Sequence, residues 1–168
     1  RRGRAASVRL PGGEPVWHQP ETSRSTSAPI IVGDQLIYAG SSGIRVRKAD
    51  TGEMIWQAGH GNAGYQNAIP VVWDDLLIAN GEHMRALDRS TGKEVWRVLC
   101  AQDVERFKRS RRQTMAGSST PVIAGDFAWL GHDDGSLRAV GKDGKVVWAY
   151  HVGVPIKTSP VVTGNLIL

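Results

Sequence analysis

Five histidines, His18, His60, His83, His132 and His151, are the residues of this chain most able to bind a metal or exchange a proton. Glu82, Asp133 and Asp134 stand beside two of them. A second group is basic: "QDVERFKRSRRQT" carries Arg106, Lys108, Arg109, Arg111 and Arg112, which together would attract phosphate or an acidic polymer. Neither group has a compact ligand spacing such as H-E-x-x-H. "AGSST" is not the G-x-S-x-G turn of a serine nucleophile, and "GHDDG" (131–135) is too short for a calcium loop of the EF-hand kind. The basic run has only Phe107 among its charges, so base stacking has little to work with and no nucleic-acid partner is expected. Whether these side chains can act together depends on the elements that carry them.

Those elements repeat. Four prolines open short apolar runs: Pro29 in "SAPIIVGD", Pro70 in "NAIPVVWDD", Pro121 in "STPVIAGD" and Pro160 in "TSPVVTGN". Their spacings are 41, 51 and 39 residues. Each run meets a turn pair, Gly33-Asp34, Asp74-Asp75, Gly125-Asp126 or Gly164-Asn165, and a second apolar run follows. Four tryptophans close the units: Trp17, Trp56, Trp96 and Trp148. The one long interval holds the basic insertion, 100–116; without it the period is about 40.

Four short strand-like runs per unit at that period are the pattern of propeller blades, each a four-stranded antiparallel meander. The predicted fold is therefore all-β, a single β-propeller segment over 1–168. Its units are 1–18 (the last two strands of a blade), 27–60, 67–99, 119–152 and 158–168 (the first two strands of another). Proline is tolerated at the first residue of an innermost strand because that strand is a sheet edge. On this map His18, His60 and His151 follow outer strands, and His83 and His132 lie at loops between second and third strands. All five then project towards one face. His60, His83, His132, His151, Arg109, Arg111 and Arg112 are the candidate binding face, although polar residues gather in the loops of any propeller.

The rest of the composition narrows the class. Six Trp, but only two Phe and three Tyr, and twenty Gly fit a turn-rich repeat. The net charge of +5 is modest. Cys100 is the one cysteine, so no disulfide within the chain and no cysteine-based zinc cluster can form. No run of 18 apolar residues exists, so no transmembrane helix is expected. The chain starts without Met and stops within "NLIL". The expectation is an arc of a six- to eight-bladed ring. The alternative is a closed ring of four, with 1–18 completing the blade begun by 158–168.

"ALDRSTGKEVW" resembles the tryptophan-docking pattern A-x-D-x-x-T-G-x-x-x-W of the PQQ-like (pyrroloquinoline quinone) β-propeller repeat family. Ala86, Asp88, Thr91, Gly92 and Trp96 all match. The unit before keeps Thr51, Gly52 and Trp56, with Val46 and Lys48 in place of Ala and Asp. The unit after keeps Ala139, Gly144 and Trp148, and the first keeps Gly13 and Trp17. On the propeller map the tryptophan lies on the outermost strand, where its indole would fill the gap to the next blade and dock on that blade's backbone. These residues are therefore expected to hold blades together rather than to do chemistry.

The resemblance implies a scaffold or protein-interaction module of the non-catalytic branch, that of outer-membrane β-barrel assembly lipoproteins. Its partners would be proteins, and its location periplasmic or envelope-associated. It equally covers quinoprotein dehydrogenases, for which pyrroloquinoline quinone and calcium would be the cofactors, and propellers appended to a phosphoesterase or a protein kinase. The vicinal cysteines that such dehydrogenases often carry are not in this sequence. The reading carried forward is the scaffold, with no cofactor.

Overall fold

A computed structural model describes residues 4–21, 27–40, 43–59, 68–81, 83–98 and 119–168. His60, Glu82 and the basic insertion with Arg109, Arg111 and Arg112 lie outside the described residues. All regular structure among the described residues is β-strand. β1 (Arg4–Val8) and β2 (Pro15–Pro20) form a two-stranded sheet. The first complete blade is β3 (Ile30–Val32), β4 (Gln35–Gly40), β5 (Gly43–Lys48) and β6 (Met54–Ala58). The second is β7 (Val71–Trp73), β8 (Leu76–Asn80), β9 (Met84–Asp88) and β10 (Glu94–Val98). The third is β11 (Val122–Ala124), β12 (Phe127–Gly131), β13 (Ser136–Gly141) and β14 (Val146–His151). β15 (Val162–Thr163) and β16 (Leu166–Ile167) form a last two-stranded sheet.

Each complete sheet is an antiparallel meander in chain order, as expected. The two outer pairs remain separate sheets, so the chain is an open arc and not a ring of four. The innermost strands are shorter than the apolar runs suggest. Pro29, Pro70 and Pro121 each stand immediately before a strand rather than within it. A proline has no N–H to give the ladder, so pairing starts at the following residue. The turns from first to second strand each hold one residue in the left-handed region. It is Gly33, Gly125 or Gly164 in three units, and Asp74 (φ 54°) in the fourth. Aspartate is among the few side chains that accept that conformation.

The cores lie between blades, not within them. Ile37, Ile44, Val46 and Trp56 of the first blade pack with Leu77, Ala79 and Leu87 of the second. Ile78, Met84 and Ala86 of the second blade pack with Ala128, Leu130 and Val140 of the third. A second-blade strand is thus buried on both faces, which is why "LLIAN" reads as a continuous run rather than an alternating one.

Every outermost strand carries a register shift at the residue before its tryptophan. Trp56 pairs with Val46 while Met54 pairs with Arg47, leaving Ile55 as the extra residue. Val16, Val95 and Val147 occupy the same position in β2, β10 and β14. A bulge bends and twists an edge strand, which re-aims the following side chain and spoils the edge as a template for another strand.

Candidate functional site

The chemistry that repeats is at the tryptophans. Trp17 Nε1 donates to the Ala49 carbonyl, Trp56 Nε1 to that of Arg89, and Trp96 Nε1 to that of Lys142, each at 2.9 Å. Each acceptor sits in the turn between the third and fourth strands of the following blade. The indole lies flat on that turn's glycine. A Cβ on Gly52 would stand 2.5 Å from the Trp17 ring, one on Gly92 2.5 Å from Trp56, and one on Gly144 2.7 Å from Trp96. All three glycines have φ between 72° and 82°, where a side chain is also strained. The glycine therefore serves twice: it makes the turn and it clears the floor for the ring.

The turn itself is held by its polar residues. Asp88 Oδ1 accepts from the Ser90 and Thr91 amides at 3.0 and 2.8 Å and from both hydroxyls at 2.7 Å. Hydrogen bonds from Ser90 and Thr91 pull the Asp88 carboxyl down to about 2. Thr91 Oγ1 accepts from Lys93 N, and Thr51 Oγ1 from Glu53 N, both at 3.3 Å. In the shorter turn of the third blade, Asp143 Oδ1 accepts from Lys145 N at 3.1 Å. Lys48, in the Asp88 column of the first blade, instead reaches Glu53 at 2.6 Å. Ala86 and Ala139, at the motif's first position, are buried opposite Trp96 and Trp148. Trp148 differs from the other three: it is 42% exposed and stacks on Tyr150 at 6.2 Å.

The histidines of the loop face are more scattered than their sequence positions suggest. His18 is an exposed residue within β2, and His151 is the last, exposed residue of β14, paired with Ser136. Neither lies in a connecting loop, because both outer strands run on past their tryptophans. His83 is half-buried just before β9. His132 is fully buried. Its Nε2 lies 3.2 Å from the Gly81 carbonyl of the preceding blade, and its Nδ1 accepts from the Asp134 amide at 3.2 Å. Among the described residues, no three His, Cys, Asp or Glu side chains converge as a metal site would require.

Sequence reasoning missed a column of buried arginines. Arg45, Arg85 and Arg138 each precede the motif's first position on the third strand, and are 1%, 7% and 8% exposed. Arg45 Nε meets Glu21 at 3.2 Å, Arg85 meets Glu94 at 2.8 Å, and Arg138 meets Asp134 at 2.6 Å. The arginines themselves are visible when the units are aligned. Their acids are not, since each comes from a different element: a connector, an outer strand and a loop.

Asp134 gathers the third of these pairs. Burial alone would raise its carboxyl, but contacts from His132, Arg138 and Ser136 outweigh it and hold the group well below the usual carboxylate range. A carboxyl depressed on folding stabilises the protein above its unfolded pKa, and that contribution is lost as pH falls through the folded value. Asp134→Asn is therefore expected to cost about 1–3 kcal/mol at neutral pH. The gap to wild type should narrow progressively below about pH 4. Urea unfolding across that range checks it, and a gap independent of pH would refute the assignment.

A two-stranded sheet and three antiparallel blades, joined in succession by indoles on Thr-Gly or Asp-Gly turns, define an arc of a PQQ-like β-propeller. The family model described as outer membrane protein assembly factor BamB matches residues 1–168, and the chain belongs to that family. Among solved structures the chain is similar to BamB from Moraxella catarrhalis, with 18% identity and a TM-score of 0.76, covering 98% of this chain and 48% of that one. It is also similar to the quinohemoprotein alcohol dehydrogenase ADHIIG of Pseudomonas putida HK5 (17% identity, TM-score 0.63, 76% of this chain and 20% of that one). A third is the computationally designed Ika8 protein (11% identity, TM-score 0.71, 95% and 47%). At these identities the likeness is one of fold. The chain spans about half the length of the BamB structure it matches. No curated protein sequence matches it.

Proposed function

We propose that this chain is a non-catalytic scaffold that presents its loop face to protein partners in the bacterial envelope. The observation that carries this reading is where the reactive side chains are spent. The buried side chains all bond within the arc: Arg45 to a connector, Arg85 to the outer strand of its own blade, Arg138 to Asp134 in a loop, and His132 to the preceding blade. The tryptophans at the blade interfaces do the same. A rigid arc with its polar chemistry turned inward suits display better than turnover. The family's description as an assembly factor of outer-membrane proteins supports an envelope setting and protein partners. No helix among the described residues is long and apolar enough to cross a membrane.

The test is a photo-crosslinking residue placed at His83 or His151, on the loop face, and at Gly33 or Gly164, in the turns of the opposite face. In living cells the loop-face positions are expected to capture components that assemble outer-membrane proteins, and deletion of the gene to lower outer-membrane protein levels. Equal capture from both faces, or unchanged levels on deletion, would overturn the reading.

A further inference from the structure

The strands of the first blade assemble a set of hydrogen-bond donors. Tyr38 of β4 pairs directly with Arg45 of β5, and Arg47 lies two residues further along β5. Side chains alternate along a strand, so these three share one face. The other face carries Ile37, Ile44 and Val46, which pack against the second blade. Groups of the same blade hold Arg47 in place. Its Nε donates to the Tyr38 hydroxyl and its Nη1 to the Gly52 carbonyl, both at 2.8 Å. Burial, and then the hydrogen bond to Glu21, raise the Tyr38 phenol above its ordinary value, so it stays a donor. Two guanidiniums and a phenol O–H make a set that fits a carboxylate.

Glu21 brings that carboxylate from outside the blade, on the connector after β2. Its Oε1 accepts from the Tyr38 hydroxyl and from Arg47 Nη2, the latter at 3.0 Å, and its Oε2 meets Arg45 Nε at 3.2 Å. The other blades show that the arginine is the repeated part and the acid is not. Arg85 and Arg138 stand at the position of Arg45, and each meets an acid, Glu94 on an outer strand or Asp134 in a loop. A receptor built by the blade and filled by whichever element reaches it is a site whose occupant can be exchanged.

We propose that Tyr38, Arg45 and Arg47 form a carboxylate-binding site, that Glu21 is its tethered ligand, and that the site takes a free monocarboxylate once the Glu21 side chain is removed. Occupancy of the site bears on the seam between the β1–β2 sheet and the first blade. Arg47 donates to the carbonyl of Gly52, the glycine beneath the Trp17 indole. Trp17 Nε1 in turn donates to the Ala49 carbonyl of the same turn at 2.9 Å. The bound carboxylate thus secures the arginine that supports the turn on which Trp17 docks, and the connector latches that seam.

Glu21→Ala removes Cγ, Cδ and both oxygens, which together have the size and charge of acetate. Urea unfolding of this variant in sodium acetate, against equal sodium chloride, tests the site. At about 0.3 M, acetate is expected to raise the folding equilibrium constant at least about 5-fold over chloride, as a ligand of the folded state alone must. Acetamide, of the same shape without the charge, should have far less effect. Wild type, whose site is filled, and the Glu21→Ala, Arg45→Ala double variant, whose site is broken, should respond to acetate no more than to chloride. The indole N–H of Trp17, assigned through Trp17→Phe, should exchange faster in Glu21→Ala and regain protection in acetate. Equal responses of Glu21→Ala to acetate and chloride would mean charge screening, and rescue that survives the loss of Arg45 would mean binding elsewhere; either overturns the proposal. A second comparison does not depend on Glu21→Ala folding. Glu21→Asp and Glu21→Asn share a length and differ in charge. The aspartate variant should have the larger folding constant by at least about 10-fold, because the site is built for an anion. Equal stability of the two would refute it.

Discussion

Trp56→Ala is expected to lower the unfolding free energy by about 3–5 kcal/mol, the range for removing a large buried aromatic side chain. The ring is buried in the cluster it shares with Leu77 and Leu87 of the second blade. Truncation opens a cavity between two packed sheets, which cannot close over it without moving a whole blade. It also removes the 2.9 Å donor from the Arg89 carbonyl. Trp56→Phe keeps most of the packing and loses the donor, so about 1–2 kcal/mol is expected. Gly92→Ala attacks the same contact from below. Its Cβ would meet the ring at 2.5 Å with the backbone at φ 72°, for a cost of about 1–3 kcal/mol. Blades contact only their neighbours, so the loss should also separate unfolding of the first blade from that of the other two. Urea unfolding followed by circular dichroism and by tryptophan fluorescence reads both effects. A Trp56→Ala cost below about 1 kcal/mol would mean that blade adhesion rests on the aliphatic clusters instead.

Local chemistry explains what the sequence revealed. A turn pair, a proline before an edge strand and a Thr-Gly turn each act within a few residues, so they recur in register and expose the blade period. The fold class, an all-β arc of four-stranded blades, was legible for that reason. The bulges at Val16, Ile55, Val95 and Val147 were not. Adjacent apolar residues before a tryptophan look the same whether or not the ladder slips between them. The slip is set by where the indole must reach on the next blade. His132 was misleading in the same way. The strand pattern puts His132 in a loop of the candidate binding face, but the loop is covered: Ile156 N donates to the His132 carbonyl at 3.1 Å, and the ring is held against the preceding blade. Burial of a loop residue depends on a connector some 20 residues downstream, which no local pattern announces. The acids of the arginine column share this property, and the clearest case is Glu21.

Glu21 lies in the connector after β2 and is 3% exposed. It faces β5, where its carboxylate meets Arg45 Nε at 3.2 Å and Arg47 Nη2 at 3.0 Å, and accepts a short hydrogen bond from the Tyr38 hydroxyl. Arg47 is further tied to Tyr38 at 2.8 Å and to the Gly52 carbonyl at 2.8 Å, which places it directly beneath the docking turn that receives Trp17. The carboxylate therefore sits between two buried guanidiniums. Glu21→Ala should cost about 3–5 kcal/mol, because it strands positive charge in the blade interface rather than merely losing an attraction. Glu21→Gln keeps the shape and one acceptor and should fall in between. A cycle with Arg45→Ala separates the two accounts. If the cost is stranded charge, the double variant should be less unstable than the sum of the singles by at least about 1–2 kcal/mol. Arg45→Ala in the Glu21→Ala background would then be close to neutral. Strict additivity, with Glu21→Ala below about 1 kcal/mol, would mean that solvent reaches the cluster and that the arginine column packs the blades through its aliphatic stems alone.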